Sequence, residues 1–265
     1  MSLFLRLPRA PKVFTVGEIR SVRLLKLAGL TPLLCCFAFA QQNAGSGASL
    51  SSIVQQVEKS QSEVRSEVPY QIIREYRLLG AKSSSADAEV VAEVDFNPPN
   101  GKGYNIQRWS GNARGRQVVQ RILDREVEAA SSESRQSRTG LTTGNYDFTL
   151  MDESVLDGRP CYLLGLKPKR KEKDLIVGKA WVDKNSFSVL RIEGDTAKTP
   201  SWWLKSVHIT LAFGELGGNW LQTSMEAVAD VRFFGSHTLT SRILDYRAAD
   251  IRASRTLPAH LANQR

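Results

Sequence analysis

The apolar positions of this chain change period along its length. Leu50, Ile53, Val54 and Val57 recur at helical spacing behind Ser49, a residue able to cap a helix start. The pattern predicts an amphipathic helix over 50–66. From Val68 the period shortens towards two. Segment 70–79 is rich in β-branched and aromatic residues. In 90–96, Val90, Ala92, Val94 and Phe96 face one way, while Val91, Glu93 and Asp95 face the other. Asn97-Pro98-Pro99-Asn100-Gly101 reads as a turn into a strand over 103–109. Helical spacing returns over 113–130, where Val118, Val119, Ile122, Leu123 and Val127 form a stripe opposite a charged side. The Ser/Arg/Gly-rich stretch 131–144 reads as a mobile loop. Beyond it every segment reads as β: 145–153, 160–168, 176–184, 187–194, 204–214, 219–234 and 236–247. Turn-like connections join them, among them Asp157-Gly158, Asp183-Lys184-Asn185 and Gly217-Gly218-Asn219.

The expected fold class is α+β, mainly β: roughly ten strands in an antiparallel sheet with one buried face. A sheet of that width curls, partly closes or is covered. Two amphipathic helices can lid a curved sheet but hardly fill it, so a hydrophobic cavity is expected. Alternation nominates its lining as Val90, Ala92, Val94 and Phe96, then Val207, Ile209, Leu211 and Phe213. Leu221, Met225, Ala227, Ala229, Val231 and Phe233 complete it. Alanines among large side chains leave room for an acyl chain, each methylene of which gains about 0.8 kcal/mol on burial. The competing expectation for any one strand is a packed core. Trp202 and Trp203 follow Thr199-Pro200-Ser201 and suit a cavity rim, a partner surface or a membrane interface. Packing beneath the sheet end is the alternative.

Charge alters this picture less than its total suggests. The formal net charge is +9, yet six of the 36 basic residues and one of the 27 acidic ones lie in 1–40. The remaining 30 basic and 26 acidic residues are nearly balanced. Arg20, Arg23 and Lys26 precede an apolar run from Leu27 that ends in Ala38-Phe39-Ala40. That is the pattern of a cleavable secretory signal peptide, with the cut expected after Ala40 and the periplasm as destination. An uncleaved form, or one lipid-anchored through Cys35 or Cys36, is the alternative. Residues 41–48 read as a flexible spacer, 49–250 as one domain, and 251–265 as a polar tail. Cys161 alone survives cleavage, so no disulfide framework is expected.

Candidate chemistry is sparse. His208, His237 and His260 are far apart, and no nucleophile elbow, zinc motif or phosphate-binding glycine loop is present. Cys161 reads as a buried structural thiol, and Glu93, Asp95, Asp183 and Glu193 as solvent-face residues of strands. No cofactor is implied. The run Lys167-Pro168-Lys169-Arg170-Lys171-Glu172-Lys173-Asp174 lacks interleaved aromatics, which argues against nucleic acid. It reads as a solvated hairpin tip, with transient contact to an anionic membrane surface as the second use.

The segment Leu156-Asp157-Gly158-Arg159-Pro160-Cys161-Tyr162-Leu163-Leu164, with Leu166-Lys167-Pro168-Lys169, resembles the central hairpin of the LolA/LolB-like superfamily of bacterial outer-membrane lipoprotein-sorting proteins. So do Lys179-Ala180-Trp181-Val182-Asp183 and Val189-Leu190-Arg191-Ile192-Glu193-Gly194. The resemblance in element order spans about 49–247. It implies a half-barrel lidded by helices, and a non-catalytic periplasmic protein binding an acyl lipid or an acylated lipoprotein. No lid-gating residue carries over, because no matching motif surrounds one. The expected protein is a monomeric lipid or lipoprotein binder. A regulatory or scaffold module on the same fold, and an exported hydrolase with dispersed carboxylates, are the rival readings.

Overall fold

The computed structural model describes residues 48–63, 69–81, 86–98, 101–130 and 138–248. The leader over 1–40, most of the spacer, the tail and the helix end at 64–66 lie outside them. Among the described residues the chain forms two helices and ten strands. In chain order these are α1 (Leu50–Glu63), β1 (Tyr70–Leu79), β2 (Ala86–Phe96), β3 (Lys102–Gly111), α2 (Ala113–Ala130), β4 (Tyr146–Leu156) and β5 (Arg159–Pro168). Next come β6 (Ile176–Asp183), β7 (Val189–Thr196), β8 (Leu204–Leu216), β9 (Asn219–Val231) and β10 (Gly235–Ala248).

Both helix starts are capped as their sequences suggest. Ser49 Oγ accepts from Ser52 N at 3.2 Å, and Asn112 Oδ1 accepts from Gly115 N at 2.7 Å. A single antiparallel sheet runs in the order β3-β2-β1-β10-β9-β8-β7-β6-β5-β4. It is an open, curved half-barrel whose edges are β3 and β4. The first strand lies mid-sheet and pairs with the last, Tyr70 opposite Ala248. Helix α2 carries the chain from one edge back to the other.

Two features give the sheet its curl. Extra residues at Asp87, Gln107, Met151, Leu190, Thr223 and Leu244 make bulges, each increasing local twist. Gly178 and Gly194 face each other across β6 and β7 on the inner side. A Cβ on Gly178 would run into the Glu193 carbonyl, and one on Gly194 into that of Val177. The strands approach there as only glycine permits. Gly194→Ala is therefore expected to lower stability by about 2 kcal/mol, the usual cost of overpacking. Urea unfolding measures it, and an unchanged midpoint would mean the bend does not need the glycine.

The core is in two pieces, both on the inner face. One packs Ile53 and Val57 of α1 against Leu164, Leu166, Ala180, Val182 and Val189. The other packs Val119 and Leu123 of α2 against Tyr70, Ile72, Tyr76, Val90, Ala92 and Val94. On the outer face the family-like motif has a structural role. Lys179 and Arg191 lie over the Trp181 ring, 5.0 and 5.9 Å from its centroid. Asp183 is not a solvent-face residue: it is 1% exposed and organises the turn after β6. Cys161 is fully buried.

Candidate functional site

Helix α1 packs on β4, and α2 packs on β2 and β3. The middle of the inner face, on β8 and β9, lies between them. There Ile209, Leu211, Phe213, Met225, Ala227 and Ala229 remain partly exposed, in contrast to the sealed clusters on either side. Register makes them one surface: Ile209 stands opposite Ala227, and Leu211 opposite Met225. Val207 and Val231 continue the strip but are each 8% exposed. The result is an apolar trough about two strands wide, flanked by two helix-covered walls.

On the α1 side the trough deepens into a cavity of about 300 Å³. Ile176, Val189, Ile192, Leu211, Phe213 and Trp220 supply its apolar lining. Trp220 Nε1 donates to the Val189 carbonyl at 3.2 Å, fixing the ring. The Tyr146 hydroxyl accepts from Ile176 N at 3.2 Å, and burial pushes its pKa up, so the phenol stays neutral. The wall is tied to α1 by two bonds between the Gln61 amide and the Leu141 backbone, at 3.0 and 3.1 Å. Glu58 Oε1 accepts from Thr143 N at 2.6 Å. Ser60 Oγ and Ser188 Oγ, 3.3 Å apart, also line the cavity.

Beneath α2 the opposite wall contains charge. Arg74, 5% exposed, donates from Nη2 to the Gln222 carbonyl at 2.6 Å. That carbonyl lies where β9 has run past its last pair with β10, Ser224 opposite Arg242. Glu126 of α2 has Oε1 4.0 Å from Arg74 Nη1 and accepts from the Tyr76 hydroxyl at 3.3 Å. Burial pushes the Tyr76 phenol up and the Lys102 ammonium down. Burial likewise pushes Tyr70 up to about 12. This group pins α2 to the sheet through polar contacts.

Apart from Val207 and Val231, which continue the strip, the nominated lining residues fall into three sets. Ile209, Leu211, Phe213, Met225, Ala227 and Ala229 meet in the trough. Val90, Ala92 and Val94, at 0, 0 and 2% exposure, sit with Phe96 in the core that α2 covers. Leu221 packs beside the α2 core on the inner face, as Met225 and Ala227 do, whereas Phe233 departs from the alternation read in sequence. Near the bulge at Thr223, Trp220 joins the cavity lining as well. Phe233 lies past the end of β9, in a turn with φ 69°, and is 97% exposed. Trp202 and Trp203 lie in the β7–β8 connection, 82 and 45% exposed. Val189, Ile192 and Arg74 are site residues that the sequence pattern does not single out. A bulge at Leu190 puts the first two on one face, and an arginine inside a strand reads as solvent-facing.

His208 is exposed, with Nδ1 3.1 Å from Asp195 Oδ1, and lies on the face opposite the trough. No cluster of three His, Cys, Asp or Glu suited to a metal occurs among the described residues.

An open, helix-flanked antiparallel half-barrel with an apolar inner trough defines the class of architecture. No family model and no curated protein matches the chain. Solved structures do resemble it. A LolA superfamily protein from Nitrosomonas europaea shares 11% identity, with a TM-score of 0.43, over 78% of this chain and 97% of that one. A DUF1329 family protein from Desulfovibrio piger shares 13%, with a TM-score of 0.42, over 76% and 94%. A putative outer membrane lipoprotein-sorting protein domain from Vibrio parahaemolyticus shares 13%, with a TM-score of 0.40, over 76% and 95%.

Proposed function

We propose that the trough on β8 and β9 holds the acyl chain of a lipid or an acylated lipoprotein, and that the chain is a non-catalytic periplasmic binder acting after removal of its leader. The carrying observation is the partial exposure of six inner-face apolar side chains between two sealed clusters. A sheet that needed only stability would cover that strip as it covers the rest. The lining is mainly apolar, with Ser60, Gln61, Thr139, Asp174 and Ser188 among it, so binding rests mainly on methylene burial. The resemblance of the motif over 156–194 to lipoprotein-sorting proteins supports the scaffold on which this task rests.

The test is uptake of a fluorescent long-chain fatty acid by delipidated protein. Leu211→Trp fills the cavity, whereas Thr210→Trp places the same ring on the outer face of the same strand. Excluding two methylenes at about 0.8 kcal/mol each costs about 1.6 kcal/mol, roughly a fifteenfold loss of affinity. That loss is expected for Leu211→Trp and not for Thr210→Trp. The reading falls if the wild-type chain takes up no fatty acid, or if the two variants bind alike.

A further inference from the structure

Trp202, Phe233 and Phe234, at 82, 97 and 72%, are the most exposed large hydrophobic side chains among the described residues. They come from two connections, β7–β8 and β9–β10, which the backbone joins into one structure. Arg232 N donates to the Trp203 carbonyl at 2.9 Å, and Arg232 Nε to the Trp202 carbonyl at 3.0 Å. Lys205 Nζ lies 3.6 Å from Asp230 Oδ2 just below the tips. The turn is closed by Phe234 N donating to the Val231 carbonyl at 3.1 Å. It holds Phe233 at φ 69°, a left-handed position that normally takes glycine or asparagine. A bulky aromatic kept there, in full contact with water, breaks the local rule for turns and points to a use outside the fold.

Topology supplies the second observation. In this antiparallel order the β5–β6, β7–β8 and β9–β10 connections all leave the sheet at one end. The basic run Lys167–Asp174, five cations against two acids, therefore shares that end with the aromatic tips. Glu172 is neutralised by Arg170 and Arg138, at 3.0 and 3.4 Å, while Lys171 and Lys173 are exposed. Exposed aromatic rings at the same end of the sheet as exposed lysines match one surface, that of a bilayer with anionic headgroups.

We propose that the joined β7–β8 and β9–β10 tips dock this protein on an anionic lipid bilayer, Trp202, Phe233 and Phe234 entering the headgroup region while the β5–β6 lysines hold the surface. The tips lie beyond the trough residues on β8 and β9, and their substitution is expected to leave fatty-acid uptake unchanged, so either proposal can fail alone.

The test uses the full chain and vesicles of phosphatidylethanolamine and phosphatidylglycerol, with acyl-brominated lipid as a tryptophan quencher. Residues 1–47 contain no tryptophan, so quenching reports on the folded domain. Bromolipid is expected to quench the wild-type chain, and Trp202→Phe to lose most of that quenching while still sedimenting with vesicles. Phe233→Asp with Phe234→Asp should weaken quenching-detected binding at least tenfold. Val155→Asp, at an apolar position 71% exposed elsewhere, should leave it unchanged. Lys171→Glu with Lys173→Glu should weaken binding to these vesicles severalfold and leave binding to phosphatidylcholine alone unaltered. Equal quenching of the wild-type and double-aspartate chains overturns the proposal. So does a wild-type dimer that the double-aspartate substitution dissociates in the absence of lipid, since a second copy would then cover the tips.

Discussion

Arg74→Ala is expected to lower the unfolding free energy by about 3 kcal/mol and to speed amide exchange along the second half of α2. Two losses combine. The Gln222 carbonyl loses its donor at a point where β10 no longer pairs with β9, and a buried acceptor without a partner costs about 1–3 kcal/mol. Glu126 loses the cation opposite it while still receiving the Tyr76 hydroxyl. Removing one member of a buried pair costs about 3–5 kcal/mol. The Glu126 side chain is 29% exposed, which places the expected loss at the lower end of that range. Glu126→Gln keeps an acceptor for Tyr76 and should cost less than half as much. Urea midpoints with native-state hydrogen exchange separate the two variants. A loss below about 1 kcal/mol for Arg74→Ala, the net worth of one ordinary hydrogen bond, would show that apolar packing alone holds α2.

The second large effect lies at the opposite wall. Asp183→Ala should destabilise the chain by about 2 kcal/mol at neutral pH and by much less in acid, as expected when two turn N–H groups lose a charged acceptor. Burial raises this carboxyl, but that effect is outweighed by the Ser186 and Asn185 backbone donors and the Arg159 guanidinium. Oδ1 accepts from Asn185 N and Ser186 N, both at 2.8 Å, and Oδ2 lies 2.8 Å from Arg159 Nε. Its pKa is thus held below the ordinary carboxylate range. A group depressed on folding stabilises fully above its unfolded pKa of about 3.9, and that contribution disappears as pH falls through the folded value. The wild-type advantage over Asp183→Ala should therefore be constant from about pH 5 to 7 and shrink below about pH 4. Unfolding at about pH 7 and about pH 3 reads it directly. An advantage that persists undiminished in acid would assign the effect to shape rather than charge.

The architecture is legible because hairpins are local. Asp157-Gly158 and Gly217-Gly218-Asn219 mark turns by conformational freedom, and the alternation in 90–96 and 207–213 survives in the structure. What alternation does not carry is its own interruption. Thr223 and Leu190 look like ordinary strand residues, yet each is an extra residue that reverses the facing of its neighbours further along the strand. That is why alternation passes over Trp220. The depth at which a helix settles is equally invisible. The stripe of Val119 and Leu123 predicts a cover, but not that it seals Val90, Ala92 and Val94 and leaves only the centre open. Arg74 escapes a reading of the pattern because an arginine within a strand ordinarily faces water. The family-like motif, by contrast, is mostly architectural: Trp181 stacks, Asp183 caps and Gly194 bends. It transfers a scaffold more readily than a ligand.

The seam between the first and last strands has a consequence for assembly. Strands β1 to β3 with α2 can condense as the chain emerges, and so can the meander from β4 onward with α1. The two halves join only when β10 arrives to lie against β1. Contacts so far apart along the chain close late and slowly. The trough, spanning the meander beside that seam, is thus among the last features to exist. A chain folding from its amino end would lack this surface until nearly all of it was available.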